Sequence, residues 1–340
     1  MLAGISLAAI LTITLFIQSF SSSIYFDKND YINVPVRFVA FCTFLCILSR
    51  VSISKSGLLK FFKGMVVLGA IASIFNLIIN YDQLLNVFNV RNAYAYNFQS
   101  FYLNRNTYAQ LLFFSIVANT VLFMKNKTRI GLFLYILFGF NLIATFSRAS
   151  LLAVTVFFLT YFFVANRRRF TKKATIVAGG VMAFTLIWMS SNLKEFIVET
   201  LIRSDVGSTK RTGIWDVAFQ LLHETSWLFG IGEFSAVNYL NRFGYSNSQF
   251  HSFYVETLVS GGLVLSIFFI GVLLFIARKI KIIVKNDKQV GTVYLAGFIS
   301  ILVYVFFESI SFFTMGYVGT LYSVFFISIP LMYSNSFRDL

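Results

Sequence analysis

The sequence predicts an all-α polytopic integral membrane protein, with about ten transmembrane helices and one long outer loop that contains an amphipathic helix. Three observations carry that prediction. Of 340 residues, 58% are hydrophobic and 19% aromatic, while only 12% are charged; a water-soluble domain carries roughly 25% charged residues. The apolar residues gather into runs close to the roughly 20 that a helix needs to cross the hydrocarbon layer. Lys and Arg alternate between abundant and scarce from one connecting segment to the next.

In order, the apolar runs are 1–20, 36–49, 64–80, 110–124, 130–146, 149–165, 174–190, 252–277, 290–308 and 315–333. The shorter ones extend into their flanks. No basic residue precedes the first run and no clear small-x-small site follows it, so it reads as a retained span and not as a cleaved leader. Cys42 and Cys46, four apart in the second run, share a helix face as packed thiols. With Pro35 and Pro330 the only prolines, mostly unkinked helices are expected. No repeat or linker divides the chain, so 1–340 reads as one transmembrane domain, with 191–251 as its large extracytoplasmic loop.

Orientation follows from the loops. One side carries Arg50, Lys55, Lys60 and Lys63, then Lys125, Lys127 and Arg129, then the cluster Arg167, Arg168, Arg169, Lys172 and Lys173. The same side continues with Arg278, Lys279, Lys281, Lys285 and Lys288 and ends with Arg338, against two acids, Asp287 and Asp339. Positive loops stay inside. Both termini are therefore expected in the cytoplasm and the 191–251 loop outside. The formal net charge of +15 is accounted for by topology, and no nucleic-acid partner is expected.

Four constellations on the outer face carry chemistry. In YNFQSFYLNRNTYAQLL, Asn104, Arg105 and Asn106 lead into a helix that Asn106 can cap, leaving amide donors for an anion or a sugar hydroxyl. In FSRAS, Arg148 stands in a connection too short for soluble structure; interface snorkelling is the plain reading, and a guanidinium fixed between helix ends also suits a phosphate. In the long loop, Ile214, Val217, Ala218, Leu221 and Leu222 repeat at helical spacing opposite Asp216, Gln220, His223 and Glu224, as for a helix lying along the outer interface as a lid. Lys210 and Arg211 open that helix against its dipole, which argues for an anion there, and Arg203 stands earlier in the same loop. The FGIGEF glycines, Gly230 and Gly232, read as a turn.

The fourth constellation is NSQFHSFYVETLVSGG. His251 at a helix start has its proton affinity lowered by the dipole, which suits a neutral imidazole that accepts a proton. Glu256 is five residues on, about 140° around a helix, so the two form no simple dyad. Ser252, Glu256 and Ser260 share a stripe instead, and Glu256 reads as orienting backbone or substrate groups, or as pairing with Arg148 or Arg211. No DxD occurs, so the usual nucleotide-sugar metal site is missing and a metal-free, cofactor-free reaction is expected.

The order of NRNTYA, SRAS, KRTGIW, LFGIG and HSFYVETLVSGG resembles the lipopolysaccharide O-antigen ligase and polymerase superfamily, from about residue 75 to 275. The same LFGIG…H…E…GG arrangement is more distantly similar to the rod-shape and division glycan polymerases. The chain departs from the family in being short, in having Arg105 where proline often stands, and in having Ser252 where Asn commonly follows the His. The resemblance implies an inverting glycosyltransferase of the bacterial cytoplasmic (inner) membrane. Its donor would be an undecaprenyl-diphosphate-linked oligosaccharide drawn from the membrane lipid, with room for a flippase and a chain-length regulator as partners. His251 would be the base, Arg148 and Arg211 would hold the diphosphate, and Arg203 and Lys210 would assist. Polymerases being the more numerous and divergent group, a repeat-unit polymerase is the first expectation. A ligase to lipid-A core or another acceptor is the alternative, and a lipid-linked saccharide transporter is the reading from another class.

Overall fold

The computed structural model describes residues 2–20, 26–85, 98–165, 209–245, 249–310, 312–313 and 317–337. Among these, every regular element is helical. The helices are α1 (Leu2–Phe20), α2 (Asn29–Phe41), α3 (Lys55–Ile79), α4 (Arg105–Lys125), α5 (Arg129–Ala144), α6 (Arg148–Ala165), α7 (Thr209–Glu224), α8 (Glu233–Arg242), α9 (Phe253–Asn286), α10 (Lys288–Tyr304), α11 (Tyr317–Ser323) and α12 (Ile329–Asn335). A single turn, Tyr81–Leu85, follows α3. A π-helical stretch, Cys42–Ile47, continues α2, and another, Val324–Ser328, joins α11 to α12.

Among the described residues, five helical stretches are long and apolar enough to cross a membrane: Asn29–Arg50, Lys55–Ile79, Arg105–Lys125, Arg148–Ala165 and Phe253–Asn286. Ala3–Ile17, Arg129–Ala144 and Lys288–Tyr304 are apolar but shorter. The chain is a helical membrane protein. The expected span 174–190 lies outside the described residues, and the expected span 315–333 is divided between α11, the π-helical stretch and α12. The expected span 290–308 ends at Tyr304, which leaves Glu308 beyond the helix.

The described residues fall into two compact units. One comprises Lys55–Gly207 and Asp287–Tyr304. Here α4 is the buried centre, in contact with α3, α5, α6 and α10. Polar side chains tie these apolar helices together, because in lipid packing and interhelical hydrogen bonds replace the hydrophobic drive. Asn141 on α5 accepts from Asn76 Nδ2 on α3 and from Tyr108 Oη on α4, both at 2.9 Å. Gln110 Nε2 donates to Tyr304 Oη on α10 at 2.8 Å. Gly69 permits the close approach of α3 to α4: a Cβ there would lie 2.2 Å from Ser115 Oγ. Asn104 caps α4, accepting from Thr107 N at 2.8 Å, so the cap is Asn104 and not the expected Asn106.

The other unit comprises Met1–Ser54, Ser208–Asn286 and Val305–Leu340. The loop helix α7 follows its predicted stripe, with Ile214, Val217, Ala218, Leu221 and Leu222 buried and Asp216, Gln220, His223 and Glu224 exposed. That stripe packs against Ile231, Ala236, Tyr239, Leu240, Phe250 and Val259 of its own unit. The apolar face of the expected lid is therefore spent on protein, because α8 and the start of α9 offer it a dry partner.

Helix α8 is anchored to the start of α2. Asp30 accepts from Phe234 N and Ser235 N, each at 3.0 Å, and from Ser235 Oγ at 2.6 Å, satisfying the amides that a helix start leaves open. Arg37 pairs with Glu233, and Asn33 Nδ2 donates to the same carboxylate at 2.8 Å. Asp30→Ala is expected to cost about 1–2 kcal/mol of stability by orphaning those donors. Thermal unfolding of the purified protein in detergent checks this, and an unchanged midpoint would mean that water caps α8 equally well.

Helix α9 is broken without proline, contrary to the expectation of mostly unkinked spans. Gly262 has φ +66° and ψ −162°. The two helical bonds lost around it are replaced by four from residues 227–232, which contain the LFGIG segment. Leu263 N and Val264 N donate to the carbonyls of Trp227 and Leu228 at 2.9 and 3.2 Å, and the freed carbonyls of Val259 and Ser260 accept from Ile231 N and Gly232 N at 2.9 Å. A broken membrane helix survives only where its backbone groups find such partners. The glycines of LFGIG and SGG are thus two halves of one interlock: a Cβ on Gly230 would lie 2.4 Å from the Val259 carbonyl oxygen, and one on Gly262 2.3 Å from the Leu228 carbonyl.

Candidate active site

His251 sits in a bend just before α9, with φ +53°. A non-glycine residue in the left-handed region costs roughly 1–2 kcal/mol, and such strain collects where a side chain must be aimed. The bend is held on both sides. Trp215 Nε1 on α7 donates to the Phe250 carbonyl at 2.9 Å, and Phe253 N donates to the carbonyls of Val305 at 2.9 Å and Glu308 at 3.2 Å. Trp215 and Tyr254 flank Phe306, with ring centroids 5.6 and 6.1 Å from it, so aromatic surface lies beside the imidazole's segment.

Arg211 lies in the first turn of α7 and faces Glu308, with Nη2 and Oε1 3.6 Å apart. The sequence argued that a cation opening α7 against the dipole needs an anion. In this structure that anion is Glu308, a residue the sequence reading placed at the end of a span and passed over. The signal was available, since a carboxylate at the edge of an apolar run is costly unless it has a partner. Burial pushes the Glu308 carboxyl up to about 7, with Arg211 pulling in the opposite direction; the dry surroundings outweigh the ion pair. His251 is lowered from its ordinary value by burial first and by the charge of Arg211 second. Its neutral imidazole therefore has causes other than the helix dipole invoked from sequence. The result is a half-buried base, a cation and a carboxyl that titrates near neutrality, all on one unit.

Ser252, Glu256 and Ser260, which share a stripe of α9 and the residue before it, are all buried. Among the described residues, the hydroxyls of Ser252 and Ser260 meet no hydrogen-bond partner. Arg148 begins α6 in the other unit, exposed, behind Phe146 at φ +52° and a turn in which Ser147 Oγ and Ser150 Oγ lie 3.1 Å apart. Asn104, Arg105 and Asn106 open α4 in that same unit, with the Asn104 side chain engaged as the cap. Arg203 and the Lys210 side chain lie outside the described residues.

Residues 133–270 match the O-antigen ligase family. The resemblance read from the sequence is borne out over this stretch, which contains Arg148, Arg203, Lys210, Arg211, His251 and Glu256. Members of the O-antigen ligase family are membrane glycosyltransferases of the ligase or polymerase kind, acting on lipid-linked glycans. No curated protein matches the chain. The family-matched segment runs from α5 into α9 and so takes in both halves of the glycine interlock, while Asp30, Arg37 and Glu308 lie outside it.

Proposed function

We propose that this chain polymerises polyprenyl-diphosphate-linked oligosaccharide units at the outer face of the bacterial cytoplasmic membrane, by inverting, metal-independent glycosyl transfer. His251 carries the reading: a strained, half-buried imidazole kept neutral by burial and by Arg211 is suited to accept a hydroxyl proton at physiological pH. The acceptor hydroxyl gives its proton to His251 as its oxygen attacks the anomeric carbon. The bond from that carbon to the phosphate oxygen breaks, and the diphosphate leaves with the electron pair. Arg211 balances the leaving charge, with Arg148, Arg203 and Lys210 as the further cationic candidates. Glu256 orients groups near the base, and Asn104, Arg105 and Asn106 contact donor sugars. A flippase would supply the donor, and a chain-length regulator would limit the product.

A ligase performs the same chemistry on a different acceptor and is the second reading. The transporter reading draws on broken helices that line a passage; the break at Gly262 is instead filled by this chain's own loop, which favours the enzyme.

Surface glycan from cells lacking the gene, complemented with wild type, His251→Ala or Arg148→Ala at matched membrane levels, tests the proposal. Single repeat units on their final anchor identify a polymerase, and long chains stranded on the lipid carrier identify a ligase. Normal glycan from both variants would remove the catalytic assignment.

The pair of Arg211 and Glu308 adds a pH dependence. Above about pH 7 the Glu308 carboxylate is ionised and competes with the diphosphate for Arg211; below it the carboxyl takes a proton and releases the guanidinium. Donor KM is expected to rise about fivefold as pH increases through neutrality, the equivalent of ~1 kcal/mol, and Glu308→Gln should flatten that rise. Fall-off of kcat on the acid side, set by His251 below its ordinary value, should persist in the variant. Steady-state rates in nanodiscs across the range decide it, and an unchanged KM profile in Glu308→Gln would sever Glu308 from donor binding.

A further inference from the structure

Helix α7 keeps a small apolar patch outside its own packing, at one edge of its exposed face. Phe219, Trp227 and Leu228 are 39, 36 and 51% exposed. The rings of Phe219 and Trp227 lie nearly parallel, at 11° with centroids 6.1 Å apart, and His223 packs edge-on against Trp227 at 5.4 Å. The patch continues onto α9, because the carbonyls of Trp227 and Leu228 accept from Leu263 N and Val264 N. Leu263 opens a row of exposed residues, Leu263, Ile267, Ile270 and Leu274, whose spacing puts them on one side of α9. In a membrane-spanning helix such a side meets lipid. The turn that carries the patch also satisfies much of its backbone without water. Phe229 N donates to Ser226 Oγ at 3.2 Å, Gly230 N donates to the Ser226 carbonyl at 3.0 Å, and Ile231 N and Gly232 N donate to carbonyls of α9. Irregular backbone is tolerated at membrane depth only where its polar groups are partnered in this way.

We propose that the 226–229 turn and Phe219 are seated in the outer leaflet of the bilayer, as a shallow continuation of the lipid-facing side of α9 with Trp227 at the interface. The depth agrees. With the exposed Arg278 at the cytoplasmic boundary, a hydrocarbon layer about 30 Å thick ends about 20 residues back along α9, near Leu258. Leu263 then lies inside the layer, and the turn bonded to it dips below the outer boundary. Trp beside apolar neighbours is the composition that favours that boundary. The opposite edge of the exposed face of α7 suits the headgroups: Gln220 Nε2 donates to Glu224 Oε1 and Tyr239 Oη to Glu224 Oε2, each at 2.8 Å, so this carboxylate arrives already hydrogen-bonded. A sugar could stack on the two rings, but it also needs polar partners within the patch. Leu228, the most exposed of the three, and Leu263 beside it offer none, which favours acyl chains.

The experiment uses the full chain in phosphatidylcholine vesicles, with Cys42→Ala and Cys46→Ala removing its two native thiols. A nitroxide is attached at Leu228→Cys, and its collisions with lipid-soluble oxygen are compared with those of a water-soluble nickel chelate. Oxygen should relax the label more strongly than nickel at 228. The order should reverse at Gln220→Cys, which is one residue from Phe219 and about 100° around the helix. Phe219→Cys is the second reporting position and keeps the proposal testable if the label at 228 prevents folding. Stronger relaxation by nickel than by oxygen at 228, or at 219 where 228 cannot be read, would place the patch in water and overturn the assignment, leaving the rings open to a glycan. The same order at 220 as at 228 would overturn it too, since the two edges of α7 would then share one environment. Seating of this turn rests on the membrane class of the chain and is independent of His251-dependent transfer, so either can fail alone.

Discussion

His251→Asn is expected to lower glycan transfer by about 10² to 10⁴-fold, the usual contribution of a positioned acid–base group, while leaving the protein folded and inserted. Asparagine is the informative replacement, because His251 occupies the left-handed region at φ +53°. Asn tolerates that conformation better than most non-glycine residues, whereas Ala is not among the residues enriched there, so Ala would confound loss of the imidazole with a change in backbone strain. The Trp215 and Phe253 hydrogen bonds that hold the bend run to and from backbone groups and survive the change. Transfer from a lipid-linked donor in proteoliposomes measures the first half of the claim, and the unfolding midpoint the second. Wild-type transfer rates in His251→Asn would mean that the proton goes elsewhere.

Gly262→Ala is expected to be the most damaging of small changes, costing about 4 kcal/mol or more and preventing accumulation in the membrane. The new Cβ would stand 2.3 Å from the backbone of Leu228, which cannot rotate away as a side chain could, and φ +66° is itself unfavourable for Ala. Relief requires separating the 226–232 loop from α9, which would strip partners from four backbone bonds of a membrane helix. Gly64→Ala is the matched control: a Cβ there meets nothing within 4 Å, and the helical site should gain up to about 1 kcal/mol from propensity. Membrane levels by immunoblot and unfolding of whatever accumulates separate the two. Comparable behaviour of both variants would show that the interlock is not what holds α9 together.

Part of this protein is legible in its sequence. Membrane class followed from composition, because so few charges cannot cover a soluble surface. The amphipathic stripe of α7 followed from spacing, and its five apolar residues are the ones buried. His251 and Arg211 stood out because titratable groups are rare in an apolar chain. Glycines 230, 232 and 262 were visible but not interpretable. Their necessity comes from another backbone segment passing within bond distance, and no local pattern encodes that approach.

Taken alone, then, the sequence determined that the chain is a helical membrane protein, which stripe of the loop helix is buried, and which scarce polar groups could do chemistry, since each of these depends on local hydropathy and spacing. Tertiary structure alone decided that Glu308 faces Arg211, that burial and Arg211 together lower the proton affinity of His251, that Asp30 caps a helix some two hundred positions away, and that LFGIG and SGG close on each other. The physical reason is that a charge takes its value from its neighbours' dielectric and distance, and a freed backbone bond from whichever segment reaches it; both are set by contacts between residues that are remote along the chain.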